Sequence, residues 1–220
     1  MKKLSEYKAV VFDLDGTLYY QRRLRLKMAW MLFSYYLCHF WRLKELLIVK
    51  KFREVREKWD GISGSEASGS LEDEQYAHVA AITGSSPGLV KDIVEEWIYK
   101  RPLKAVYDTR DVTLLNIIKG LRDKDIPVFI FSDYPIEEKA AVLGVSADGM
   151  YAATDERLNE LKPSPKGLNL IMSDHSLTPA DIIMVGDRMS RDGLAAQNAG
   201  CEYLILPKSR LKREKLYKKI

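Results

Sequence analysis

The chain has 220 residues and 25.2 kDa, with 46% hydrophobic and 30% charged residues, which suits one globular domain or one domain with an insertion and excludes wholesale disorder or a collagen-like chain. Two cysteines, Cys38 and Cys201, exclude a disulfide framework and a cysteine-rich zinc module; both are expected to be buried, reduced thiols. The net charge of +4 is local: residues 208–220 carry seven basic residues against Glu214, leaving the rest near −2, so no general field for nucleic acid is indicated and the tail reads as a solvated helix, a nucleic-acid-binding arm being the alternative.

Residues 8–13, KAVVFD, are a compact Val-rich run that ends on an acidic turn, the pattern of a buried parallel strand. Asp13 and Asp15 follow too soon for a secretory signal, so the expected location is the cytoplasm. The longest apolar stretch elsewhere, 28–41, is broken by Ser34 and His39 and is short for a membrane span.

Residues 20–102 predict an all-helical insertion. No Gly or Pro occurs between Thr17 and Asp60, and Leu43, Leu47, Phe52, Val55 and Trp59 are expected on one apolar stripe. The Gly- and Ser-rich stretch 60–70 predicts a loop, expected to tip toward the active site. Helices follow over 71–82 and 86–100, the second with Ser86 as N-cap and Pro87 in its first turn, and Pro102 is expected to close the segment. Residues 22–58 hold eleven basic residues against three acidic ones, interleaved with Trp30, Trp41, Tyr35 and Tyr36. Three readings stand: a pocket for an anionic substrate, a patch for an acidic membrane surface, or a helical hairpin with its aromatics packed inward. His39, His78 and His175 share no metal-ligand spacing and are expected to be structural.

Beyond the insertion, strand patterns at 127–132, 182–186 and 202–206, with a weaker one at 149–154, alternate with helical patterns at 112–124, 165–173 and 190–199. This alternation predicts an α/β fold with a Rossmann-like, mostly parallel sheet.

Four groups of polar residues each follow a predicted strand, where open parallel sheets place ligands. Asp13 and Asp15, in VVFDLDGTLY, can point into one crevice, one as nucleophile and the other as general acid/base, with Gly16 giving a tight turn. Ser132, in IFSDY, suits a phosphate oxygen, and Lys162, in LKPSP, can offset a carboxylate and a phosphoryl group. Asp187 and Asp192, in IIMVGDRMSRD, supply the hard oxygens that suit Mg²⁺.

Taken in this order, the chain resembles the haloacid dehalogenase superfamily of hydrolases over 1–19 and 103–207. The resemblance implies a core of 1–19 and 103–220 with a helical cap of 20–102. It implies Asp13 as a nucleophile that forms an aspartyl-phosphate, Asp15 as acid/base, and Ser132 and Lys162 as phosphate-orienting groups. Mg²⁺ would be held by Asp13, the backbone carbonyl of Asp15, and Asp187 and Asp192, with Asp187 the more direct ligand. The dehalogenases of the superfamily lack the second aspartate; its presence here favours phosphoryl transfer. The expected activity is a Mg²⁺-dependent phosphatase acting on a small phosphorylated metabolite as monomer or dimer. A phosphomutase and a non-catalytic regulatory protein on a hydrolase core are the alternatives.

Overall fold

The structure, a computed structural model, describes residues 2–59 and 70–220. Five strands form one parallel sheet: β1 (Ala9–Phe12), β2 (Val128–Ser132), β3 (Gly149–Ala152), β4 (Ile182–Gly186) and β5 (Glu202–Ile205), in the order β3-β2-β1-β4-β5. The register sets Val11 opposite Phe129 on one side and Met184 on the other. The three central strands are apolar at nearly every position because both faces of the sheet are covered. Alternate residues serve opposite faces. Val10, Phe12, Val128, Ile130, Ile183 and Val185 belong to one core; Ala9, Val11, Phe129, Phe131, Ile182 and Met184 belong to the other. The outer strands β3 and β5, which expose part of their length, carry the weaker apolar signals.

Between β1 and β2 the chain is helical. α1 (Gln21–Cys38) breaks at His39 into a short 3₁₀ turn, then come α2 (Lys44–Lys58), α3 (Leu71–Thr83), α4 (Pro87–Val94), which runs on as a π-helical segment over Glu95–Lys100, α5 (Leu103–Asp108) and α6 (Val112–Arg122). Ser70, Ser86 and Asp111 cap α3, α4 and α6 by accepting backbone N–H bonds from Asp73, Leu89 and Leu114. Later come α7 (Glu137–Leu143), α8 (Lys166–Asp174), α9 (Leu194–Asn198) and α10 (Arg210–Tyr217). The inserted helices share the first core through Met28, Ile48, Phe52, Val90 and Trp97, together with α6, α7 and α10, while α8 and α9 cover the other face.

Several expectations need correction. The α2 stripe is rotated: Ile48, Val49, Phe52, Val55 and Arg56 are buried, whereas Leu43 and Leu47 face solvent, because α3 and α4 pack against the other side. Cys38 is exposed; only Cys201 is buried. Tyr35 and Tyr36 pack inward on Trp97, but Trp30 and Trp41 do not. The helical run that begins at Pro87 ends at Lys100, as expected, and a turn through Pro102 leads into α5. The tail helix α10 is only partly solvated, since Arg213 and Tyr217 are buried. His39 stacks on Tyr35 and His175 hydrogen-bonds Tyr151. The expected loop lies, apart from Ser70, outside the described residues.

The topology fixes where a ligand can sit. From β1 the chain moves to β2 and β3 on one side, then returns across to β4 and β5 on the other. The strand order therefore reverses around β1, opening a crevice at the carboxyl ends of β1, β2 and β4.

Candidate active site

All four groups of candidate residues converge on that crevice. Asp13 follows β1, Ser132 ends β2, Asp187 follows β4, and Lys162 arrives on the connection between β3 and α8. Lys162 Nζ donates to Asp13 Oδ1 at 2.6 Å and to Asp192 Oδ1 at 2.7 Å. Burial opposes its charge, but Asp13, Asp192 and Asp133 keep the ammonium above the ordinary lysine range. Thr17 Oγ1 donates to the other Asp13 oxygen at 2.8 Å, so both oxygens of that carboxylate are oriented.

Carboxylate oxygens of Asp13, Asp187 and Asp192 lie within 4.8 Å of one another, and all three residues are buried. Burial and the neighbouring Asp192 push both Asp13 and Asp187 upward from the usual carboxylate range. One ammonium does not offset three buried carboxylates, so this donor set fits a further cation. Hard oxygens suit Mg²⁺ or Ca²⁺ better than a soft metal. Asp192 also shapes the turn: its Oδ2 accepts from the backbone N–H groups of Asp187 and Arg188 at 3.1 and 3.0 Å.

Two glycines permit the close packing. Gly16 adopts φ +95°, and a Cβ there would stand 2.6 Å from Asp187 Oδ2; a Cβ on Gly186 would meet Asp192 at 2.3 Å. Any side chain at either position would displace a carboxylate of the cluster.

Asp15 is turned away from the three acids. Lys139 Nζ donates to its Oδ1 at 2.6 Å, the Tyr19 hydroxyl donates to the same oxygen, and Ser132 Oγ reaches Oδ2 at 3.3 Å. Burial alone would raise this carboxyl, yet Lys139 and Tyr19 hold it below the ordinary value. Thus one aspartate sits among acids and its neighbour two residues on sits among donors, and the two environments separate their protonation behaviour.

Several functional neighbours were missed in the sequence. Lys139 had a signal: it lies between Ile136, Ala140 and Leu143, on the apolar face of α7, where a lysine needs a buried partner. Arg213 of α10 gave little signal among so many charges, yet it donates to the backbone oxygens of Gly16 and Thr17 at 2.6 and 2.8 Å and to Asp111 at 3.1 Å. Arg191 donates to the Lys162 carbonyl and, at 2.5 Å, to the Glu57 carbonyl. With Arg188, whose Nη1 donates to both Glu57 carboxylate oxygens at 2.9 Å, it holds the end of α2 over the site.

Above the acids is a cavity of about 540 Å³. Its floor includes Asp13 and Asp15, and its inserted-helix wall brings Arg25, Arg53, Lys58 and Met28.

Comparison with known proteins agrees with this architecture. A profile of the haloacid dehalogenase-like hydrolases matches residues 7–200, and the chain belongs to that family. Among solved structures, a 2-haloacid dehalogenase from Pseudomonas syringae pv. Tomato DC3000 superposes with a TM-score of 0.60 at 17% identity, over 91% of this chain and 86% of that one. A magnesium-bound hydrolase of the same superfamily from Bacillus subtilis gives 0.60 at 12% identity, over 91% and 88%. A phosphoglycolate phosphatase of Vibrio vulnificus (strain YJ016) is 50% identical over 42 residues; the match covers 19% of this chain and 18% of that protein.

Proposed function

We propose that the chain is a Mg²⁺-dependent phosphatase that hydrolyses a small phosphate monoester through a phosphoryl group carried on Asp13, with residues 20–102 acting as its cap. The observation that carries this reading is the pairing of two environments: Asp13 in a cationic and acidic cluster with Lys162, Asp187 and Asp192, and Asp15 hydrogen-bonded beside it. Dehalogenases share the fold, so the second carboxylate is what favours phosphorus over carbon.

In this mechanism an Asp13 oxygen attacks phosphorus in line and the P–O bond to the alcohol breaks; Asp15, which Lys139 and Tyr19 hold ionised, takes up a proton when substrate binds and passes it to the departing oxygen. Asp15 then takes a proton from water, whose oxygen attacks phosphorus and releases orthophosphate, restoring the Asp13 carboxylate. Lys162 balances charge on the phosphoryl oxygens, and Ser132, once released from Asp15, orients one of them. A divalent cation held by Asp13, Asp187 and the Asp192 region, with the Asp15 backbone carbonyl, would supply further neutralisation of those oxygens. Arg25, Arg53 and Lys58 line this wall together with Glu54 and Glu57, which pair with Lys51 and Arg188, and the cationic excess favours a substrate whose alcohol part carries its own negative group. The short match to a phosphoglycolate phosphatase supports such a phosphorylated acid.

A Mg²⁺-supplemented panel of phosphorylated metabolites, read by released orthophosphate, tests the reaction and ranks substrates. EDTA should abolish release and Mg²⁺ should restore it, and Asp187→Ala should raise the Mg²⁺ concentration needed for half-maximal rate at least tenfold, since even losing a group that only supports a metal ligand costs about 10–100-fold. Activity indifferent to chelation would remove the metal from the scheme.

Lys139→Met offers a separate check on Asp15. Losing that ammonium favours the protonated acid, so the carboxyl should keep its proton to higher pH. The limb of the kcat/KM profile that reports Asp15 should therefore move upward in pH. An unmoved profile would mean that Lys139 does not govern the proton.

A further inference from the structure

α1 has two apolar faces, and only one is covered. Leu24, Met28 and Tyr36 are buried. On the other side Leu26, Trp30, Phe33 and Leu37, spaced four, three and four residues apart, form a single stripe and are each 60–70% exposed. Phe40 and Trp41 continue it beyond the helix end at 68% and 67% exposure. The rings support one another, Trp30 with Phe33 at 5.8 Å and Phe40 with Trp41 at 5.3 Å between centroids. Single exposed apolar residues need no explanation, but a continuous aromatic and aliphatic strip of this kind marks a binding surface.

Charge identifies the occupant. Residues 21–44 contain no Asp or Glu. Arg22, Arg23, Arg25 and Lys27 lie exposed on the first two turns of α1, and Arg42 and Lys44 lie exposed at the other end. Lys27 and Arg42 find acids from neighbouring segments, Asp108 and Glu45, at 2.6 Å each. Arg22 and Arg23 flank the apolar strip, while Arg25 lines the cavity wall and Lys44 donates to the Gly84 carbonyl at 3.0 Å. A second copy docking here would set the same cations against each other, with no acid in 21–44 to meet them. An anionic lipid surface satisfies both parts, receiving the apolar strip at the acyl boundary and the guanidinium and ammonium groups among its phosphates. Tryptophan is well suited to that depth. No helix among the described residues is long and apolar enough to cross a membrane, so α1 would lie on the surface rather than span it.

We propose that the outward face of α1, with the turn Phe40–Arg42, docks the protein on an anionic phospholipid surface. The opposite face of the same helix contributes Leu24, Arg25 and Met28 to the catalytic cavity wall, so docking holds one side of that cavity without covering it. The inference does not rest on the proposed reaction.

The test is sedimentation of the full chain with phosphatidylcholine vesicles and with vesicles that also contain phosphatidylglycerol. Binding is expected to the second only, and to fall with added salt as charge is screened. The double variant Trp30→Ser/Leu37→Ser changes only exposed side chains. It should lower the vesicle partition at least about tenfold. Circular dichroism and light scattering on the free protein complete the set. Absence of binding to the anionic vesicles overturns the proposal, as does binding that the double variant leaves unchanged. A dimer that the double variant dissolves, with no vesicle binding, assigns the face to a second copy and overturns it as well.

Discussion

Asp13→Asn is expected to reduce turnover by at least about 10⁴-fold, or about 5.5 kcal/mol of barrier, in line with the loss of other covalent nucleophiles. The amide is nearly the same size as the carboxylate but does not attack phosphorus. The fold should survive. Lys162 keeps Asp192 as its partner at 2.7 Å, and Thr17 keeps an acceptor if the amide oxygen is turned toward it. The variant should therefore unfold within a small interval of the parent while releasing no orthophosphate above background. A residual rate within about tenfold of the parent would mean that another group takes the phosphoryl, and the roles of both aspartates would have to be reassigned. Acid quench of the parent with a labelled substrate should trap the phosphoryl group on protein, and the Asn variant should trap none.

Arg213→Ala carries the largest expected effect on stability. Arg213 is 1% exposed and links α10 to the Gly16 and Thr17 carbonyls, the Pro207 carbonyl and Asp111. Its removal leaves Asp111 buried with only tyrosine hydroxyls, Tyr217 at 2.7 Å and Tyr20, as side-chain partners, and strips the Gly16 and Thr17 carbonyls of the guanidinium. Losing one member of a buried ion pair costs about 3–5 kcal/mol, so urea should unfold the variant at a clearly lower midpoint. Much of this cost belongs to the carboxylate left behind. Asp111→Asn combined with Arg213→Met should therefore recover part of the stability that Arg213→Ala alone loses, a coupling that a double-mutant cycle measures. If Arg213→Ala shifts the midpoint by less than about 1 kcal/mol, the guanidinium is not holding the loop.

The sheet was legible because buried parallel strands leave unmistakable runs: AVVF, VFIFS and IIMVG have no polar alternation, since neither face meets water. The candidate residues were legible for a related reason. Asp13, Ser132 and Asp187 stand at the ends of those runs, and topology brings strand ends together without further instruction; Lys162 reaches them from the connection after β3. The faces of the inserted helices were not legible. The second half of α1, from Met28 to Cys38, is apolar nearly all round, so periodicity alone does not say which side is buried, and the reading with the aromatics packed inward fails on Trp30. The α2 stripe went astray at Leu43 and Leu47 because an apolar residue obliges nothing to cover it. Lys139 and Arg213 show the converse difficulty. A buried cation is defined by a partner 124 or 197 residues away, and local sequence does not disclose that distance.

The span between Arg213 and the Gly16 carbonyl bears on synthesis. At roughly 5–20 residues per second, the ribosome needs on the order of ten to forty seconds to make the 197 residues that separate them. Through that interval the aspartates are already translated, but the guanidinium that grips their loop has yet to be made. A nascent chain thus carries Asp13 and Asp15 long before it has the grip that shapes their loop.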